Sequence, residues 1–96
     1  MVERTLLVKA RLGLHARAAA KVVRVAREFD SKMELRRLDN GVSADAKSIL
    51  SVLMLAASQG TALHASADGV DEEAALNAVD KLFADGFGEM EQESPK

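Results

Sequence analysis

Two rhythms of apolar residues alternate along this chain, and their order limits the folds open to it. From Val2 to Lys9, from Lys32 to Arg36 and from Thr61 to Ala67, apolar and polar residues alternate with period two, as strands with one buried face require. Elsewhere the period lengthens. From Ala16 to Phe29 the residues Ala19, Val22, Val23 and Ala26 form a stripe at helical spacing, while Arg17, Lys21, Arg24 and Glu28 fall on the opposite side with Arg27 close by. A further stripe, Ala75, Val79, Leu82 and Phe83, follows Asp71, which is expected to cap that helix, with Glu72 and Glu73 in its first turn and Gly86 and Gly88 stopping it. Asn40-Gly41 predicts a tight hairpin with positive φ angles, and Val42 to Ala44 the return strand. Ala46 to Ala57 reads as a helix with almost no polar side, so one stripe is expected in the core and another at least partly exposed. The order βαββαβα predicts an α+β fold, an antiparallel sheet with helices packed on one side.

Composition narrows the function. Ninety-six residues, 48% of them hydrophobic and 29% charged, suit one small globular domain over residues 1–88, followed by a short acidic segment, 89–96, expected to be mobile. With three Phe and no Trp or Tyr the core must be built of small aliphatic side chains, and a stacking surface for single-stranded nucleic acid is disfavoured. A formal net charge of −2 argues against general nucleic-acid binding while permitting a local basic patch. Zero Cys excludes disulfides, thiol catalysis and thiolate metal sites. No signal peptide is recognisable and no apolar run is long enough to span a bilayer, so a cytoplasmic protein, not a membrane one, is expected.

One constellation carries chemistry. Leu12-Gly13-Leu14-His15-Ala16-Arg17 sets a histidine between a glycine hinge and the first turn of a helix. A helix start leaves backbone N–H groups without intrahelical partners, and its partial positive charge favours an anion there. A neutral imidazole has one nitrogen lone pair free to attack phosphorus, and Arg17 adds a guanidinium suited to phosphate oxygens. Alone, so short a motif is better explained as a capping or surface histidine. No carboxylate cluster is spaced for a metal, and neither a metal nor another cofactor is expected.

The rest of the chain supplies what the motif lacks. Gly13 to Arg17 resembles the active-site signature of the HPr phosphocarriers of the bacterial phosphoenolpyruvate-dependent sugar phosphotransferase system, and Ala46-Lys47-Ser48-Ile49-Leu50 resembles that family's second signature. Gln59-Gly60-Thr61 and Ser66-Ala67-Asp68-Gly69 are similar to the segments bounding its fourth strand. The resemblance implies an open-faced β-sandwich, a four-stranded antiparallel sheet with three helices on one face. It implies that His15 accepts a phosphoryl group through Nδ1 from phospho-enzyme I and passes it to enzyme IIA domains, that Arg17 assists, and that Ser48 is the regulatory site of an HPr kinase/phosphorylase. Two departures stand out. Ala18 occupies a position where relatives commonly have proline, and the segment between Phe29 and Ser48 is longer by about two residues, an insertion that a hairpin tip tolerates.

Around His15, a docking surface is expected from Leu14, Ala20, Ile49, Leu50 and Leu53, rimmed by Arg17, Lys21, Arg24 and Arg27, with Lys47 beside Ser48. Core packing of the leucines and a solvated helix face are the plainer accounts of the same residues. Ser48 serves equally well as a helix cap. His64 is expected on a strand surface without a functional role. A monomer is the simplest state for a domain that must show one face to several partners. Two other readings stay open: a paralogue acting mainly as a regulatory binding module in a nitrogen-related relay or through Ser48, and a ferredoxin-like or acylphosphatase-like domain, whose element order begins alike. The latter wants a glycine-rich loop after the first strand, where this chain has only Gly13.

Overall fold

Strands form where side chains alternate, and the alternation here gives the sheet one apolar face. The computed structural model describes residues 1–88. Its elements are β1 (Val2–Leu7), α1 (Ala16–Ala26), β2 (Lys32–Arg37), β3 (Ser43–Asp45), α2 (Ile49–Met54), β4 (Ala62–Asp68) and α3 (Glu72–Ala84), followed by a 3-10 turn, Gly86–Gly88. The four strands lie in the order β1-β4-β2-β3, every neighbouring pair antiparallel. Register pairs Leu6 with Leu63, Leu35 with both Ala65 and Ala44, and Met33 with Ala67, and all of these are buried. The predicted α+β architecture with helices covering one face is the one observed.

The helices seat their apolar stripes on that surface. Ala19, Val22, Val23 and Ala26 of α1 are buried as expected, joined by Ala18. In α3 the buried residues are Ala75, Leu76, Val79 and Phe83, whereas Leu82 is only partly covered. Phe83 and Phe87 meet edge to face with centroids 4.9 Å apart, a geometry that aromatic quadrupoles favour. On the rim, Arg4 of β1 reaches Asp80 of α3 at 2.7 Å.

Several boundaries differ from the sequence expectation, each for a local reason. β1 ends at Leu7, although Val8 still bonds the Thr61 carbonyl at 3.0 Å and is buried. α1 stops at Ala26 instead of running to Phe29, because Glu28 and Phe29 donate back to Val25 and Ala26 in tighter turns. α2 covers Ile49–Met54 only, and Ala56 beyond it is left-handed at φ 50°. The β2–β3 connection is not a tight two-residue turn. Gly41 alone takes a positive φ, 77°, its N–H donates to the Arg37 carbonyl, and the Asn40 side chain accepts the Val42 N–H at 3.0 Å. Asp71 stands at the N-cap position of α3 without capping it. Its carboxylate instead accepts the N–H groups of Asp30 and Ser31, both at 2.9 Å, and the Ser31 hydroxyl, pinning the α1–β2 link to α3. Those donors hold the Asp71 carboxyl below its ordinary range, the Ser31 hydroxyl foremost. The acidic segment expected at 89–96 lies outside the described residues.

Candidate functional site

The link after β1 turns sharply and is clamped to the far end of α2. Gly13 donates to the Ala10 carbonyl at 3.0 Å and adopts φ 71°. A β-carbon there would lie 2.7 Å from the Ala57 carbonyl oxygen, so the position demands glycine for close approach as well as for conformation. Leu14 then donates its N–H to that carbonyl at 2.8 Å, with its side chain in the core. What sequence suggests as a hinge is therefore a fixed turn, delivering His15 to α1 at a set angle.

His15 is the N-cap residue of α1, with extended backbone at φ −80° and ψ −175°. Its carbonyl accepts the Ala19 N–H at 2.8 Å and its Nδ1 accepts the Arg17 N–H at 3.2 Å. A backbone N–H can only donate. Nδ1 therefore presents its lone pair to the helix start, and in the neutral ring the proton resides on Nε2. The imidazole is half-buried and Arg17 is exposed, while Ala18 is fully buried.

Beside this turn the structure assembles part of the expected docking surface and dismantles another part. Ala20, Val23, Arg24, Arg27 and Ile49 line a shallow groove between α1 and α2. Leu50 and Met54 stand well out of the surface, 66% and 69% exposed. Met54 is a surface residue that the sequence reading missed, although the all-apolar run around it was the signal. Leu14, by contrast, is only 4% exposed and belongs to the core, and Leu53 packs partly against it. The long cations divide similarly. Lys21 donates to the Phe87 carbonyl at 2.6 Å, Arg27 Nε to the Lys47 carbonyl at 3.0 Å, and Lys47 Nζ to the Phe29 carbonyl at 2.7 Å. These three tie elements together instead of ringing an open patch.

Ser48 is the N-cap of α2, its Oγ accepting the Ser51 N–H at a long 3.4 Å and its carbonyl the Val52 N–H at 3.0 Å. His64 sits on the uncovered face of the sheet, its Nε2 2.9 Å from Glu3 Oε1 across the β1–β4 ladder. Among the described residues no group of three or more His, Cys, Asp or Glu is placed to hold a metal, and no helix is long and apolar enough to cross a membrane.

Comparison with known proteins gives this geometry a family. Residues 2–85 match the family model PTS-HPr, the "PTS HPr component phosphorylation site". The chain is 45% identical over 89 residues to the phosphocarrier protein HPr of Xylella fastidiosa (strain 9a5c), covering 93% of this chain and 98% of that one. The chain belongs to the HPr phosphocarrier family. It is also 40% identical over 88 residues to the phosphocarrier protein NPr of Escherichia coli (strain K12), covering 92% and 97% respectively, so the HPr and NPr branches of the family both lie within reach. In three dimensions it is similar to an HPr from Thermoanaerobacter tengcongensis at TM-score 0.85 and 39% identity, over 92% of this chain and 97% of that one. The open-faced sheet and three helices are thus family features.

Proposed function

We propose that this protein carries a phosphoryl group on Nδ1 of His15, taking it from the phosphohistidine of enzyme I and yielding it to a histidine of an enzyme IIA domain. The observation that carries the reading is the Nδ1 lone pair held 3.2 Å from the Arg17 N–H at the start of α1. In the forward step that lone pair turns from the Arg17 N–H to the donor's phosphorus, a new N–P bond forms as the donor's N–P bond breaks, and the donor imidazole leaves with its lone pair restored. The Nε2 proton stays in place. Phosphoryl transfer of this kind needs in-line placement and charge stabilisation more than acid–base chemistry. Charge stabilisation would come from the backbone N–H groups of the first helical turn and the exposed Arg17 guanidinium, which meet the oxygens of the moving group. Delivery to a second protein follows by the same displacement in reverse.

Docking falls to what the structure leaves open. Ile49, Leu50 and Met54 supply an apolar centre, with Ala20 in the neighbouring groove, and Arg17 and Arg24 a positive rim, an arrangement that speeds encounters with acidic partners and permits quick release. A phosphate on Ser48, placed there by an HPr kinase/phosphorylase, would set about two negative charges beside that centre and weaken enzyme I binding. In this role the protein acts in the cytoplasm as a monomer, without metal or cofactor. Identity to the NPr relative supports a second downstream route, a regulatory relay using the same His15 chemistry with a different acceptor.

The test is incubation with enzyme I and phosphoenolpyruvate, followed by intact mass and acid treatment. Wild type is expected to gain one acid-labile phosphoryl group and His15→Ala none. Retention of the label in His15→Ala sinks the assignment.

A further inference from the structure

A line of polar contacts runs from the β2–β3 hairpin to the His15 turn, and the transfer chemistry above makes no use of it. Arg37 closes β2 with its side chain only 18% exposed. Its Nε and Nη2 grip the Asp39 carboxylate at 2.9 and 2.7 Å, and its Nη1 donates to the carbonyls of Leu55 and Ala56 at 2.9 and 3.1 Å. One edge of the planar fork is thus locked while the remaining nitrogen holds two carbonyls. The Arg37 hydrogen bond in turn keeps Asp39 below the usual carboxylate range, so the pair stays ionised through neutral pH.

Those carbonyls lie just past α2, where the last carbonyls of a helix lack intrahelical partners. Ala56 is left-handed at φ 50°, a conformation that residues with a β-carbon keep only where the surroundings impose it. The next residue, Ala57, is buried and gives its carbonyl to the Leu14 N–H at 2.8 Å. Leu14 immediately precedes His15.

We infer that Arg37, oriented by Asp39, is a positioning residue for His15: by holding the Leu55 and Ala56 carbonyls it fixes the turn that aims the Ala57 carbonyl at Leu14. No atom of Arg37 is required at the reacting phosphorus. Its action is geometric, passed along the backbone from one end of α2 to the beginning of α1. A lysine could satisfy one carbonyl but could not clasp Asp39 at two points while doing so. The kinetic consequence rests on the phosphocarrier reading; the positional claim does not.

The experiment uses the isotopically labelled full chain as wild type, Arg37→Ala, Arg37→Lys and Asp39→Asn, with amide hydrogen exchange and amide shifts read beside the rate of enzyme I-dependent phosphorylation. In Arg37→Ala the Leu14 amide is expected to exchange about tenfold faster relative to core amides such as Leu63, and the Arg17 amide to shift. The transfer rate at saturating enzyme I should fall by about tenfold, with the half-saturating concentration little changed, as misplacement of a reacting group predicts. Arg37→Lys and Asp39→Asn should fall between it and wild type, and they carry the test if Arg37→Ala does not fold. Equal loss of protection at Leu14 and Leu63, an unchanged Leu14, or an unchanged transfer rate with a loosened Leu14 each overturns the inference. Should wild type take up no phosphate on His15, the phosphocarrier reading fails, and the exchange measurements alone decide whether Arg37 positions the turn.

Discussion

The starts of α1 and α2 are built alike and surrounded differently. Each opens with an extended N-cap residue whose side chain accepts a backbone N–H of the first turn, His15 from Arg17 at 3.2 Å and Ser48 from Ser51 at 3.4 Å. At Ser48 the flanking lysine is committed, its N–H to Asp45 and its Nζ to Phe29, and the capping oxygen completes a short helix of six residues. At His15 the flanking arginine is exposed, and the turn beneath is locked by Gly13 against Ala57. A cap of the same form is a structural fitting in one place and the proposed seat of a reactive group in the other. What differs is whether the neighbours are already bonded or left open to an incoming anion.

The contrast breaks most severely at Gly13. Gly13→Ala forces a β-carbon against Ala57 and an alanine into left-handed backbone, so a loss of about 2 kcal/mol or more is expected in denaturant unfolding, together with slower transfer. Gly41→Ala on the open hairpin, where nothing lies within 4 Å of the added carbon, isolates the conformational part of that loss. Next comes Arg17→Ala, for which stopped or quenched transfer assays should give a rate lower by roughly tenfold to a hundredfold with unfolding unaltered. An unchanged rate removes the guanidinium from the mechanism.

α3 is the control, since its N-cap residue directs its carboxylate elsewhere. Because Asp71 is held below its ordinary range in the fold, its contribution is fully present above the unfolded carboxylate value and is lost as pH falls through the folded one. Wild type should therefore lose stability faster than Asp71→Asn as pH falls below about 4, and parallel curves would show that the Ser31 and Asp30 contacts do not stabilise the charged form. The smallest effect belongs to Ser48. At 3.4 Å its cap is weak, so Ser48→Ala should cost about 0.5 kcal/mol in thermal or denaturant unfolding and leave enzyme I-dependent labelling of His15 intact. An ATP-dependent, acid-stable phosphate that vanishes in this variant would move Ser48 from fitting to switch.

Much of this was readable from residue order. Period two in Leu6, Leu63, Ala65 and Ala67, and the α1 stripe from Ala19 to Ala26, report burial directly because sheets and helices repeat their facing direction. The end of α2 was not readable, since a run in which nearly every residue is apolar has no phase to mark where the helix stops. The burial of Leu14 escaped for a related reason: a turn has no period at all. Lys21 and Lys47 have reach enough to find a distant carbonyl, so their partners are decided by tertiary placement. Asp71 carries the residue type and position of a cap, and only the proximity of Ser31 shows that its oxygens go elsewhere.

The Arg17 amide already faces the nitrogen that would receive the cargo. On the proposed reading, an arriving phosphoryl group finds its oxygens directed toward a donor that was oriented before it came, and a departing one leaves the imidazole to resume the same bond. Loading then exchanges the Arg17 N–H for phosphorus as the partner of Nδ1, and unloading restores it. Such a courier trades one contact for another in either direction, which keeps traffic along the relay reversible and lets the relative phosphorylation of its partners, and not the carrier, decide which way the flow runs.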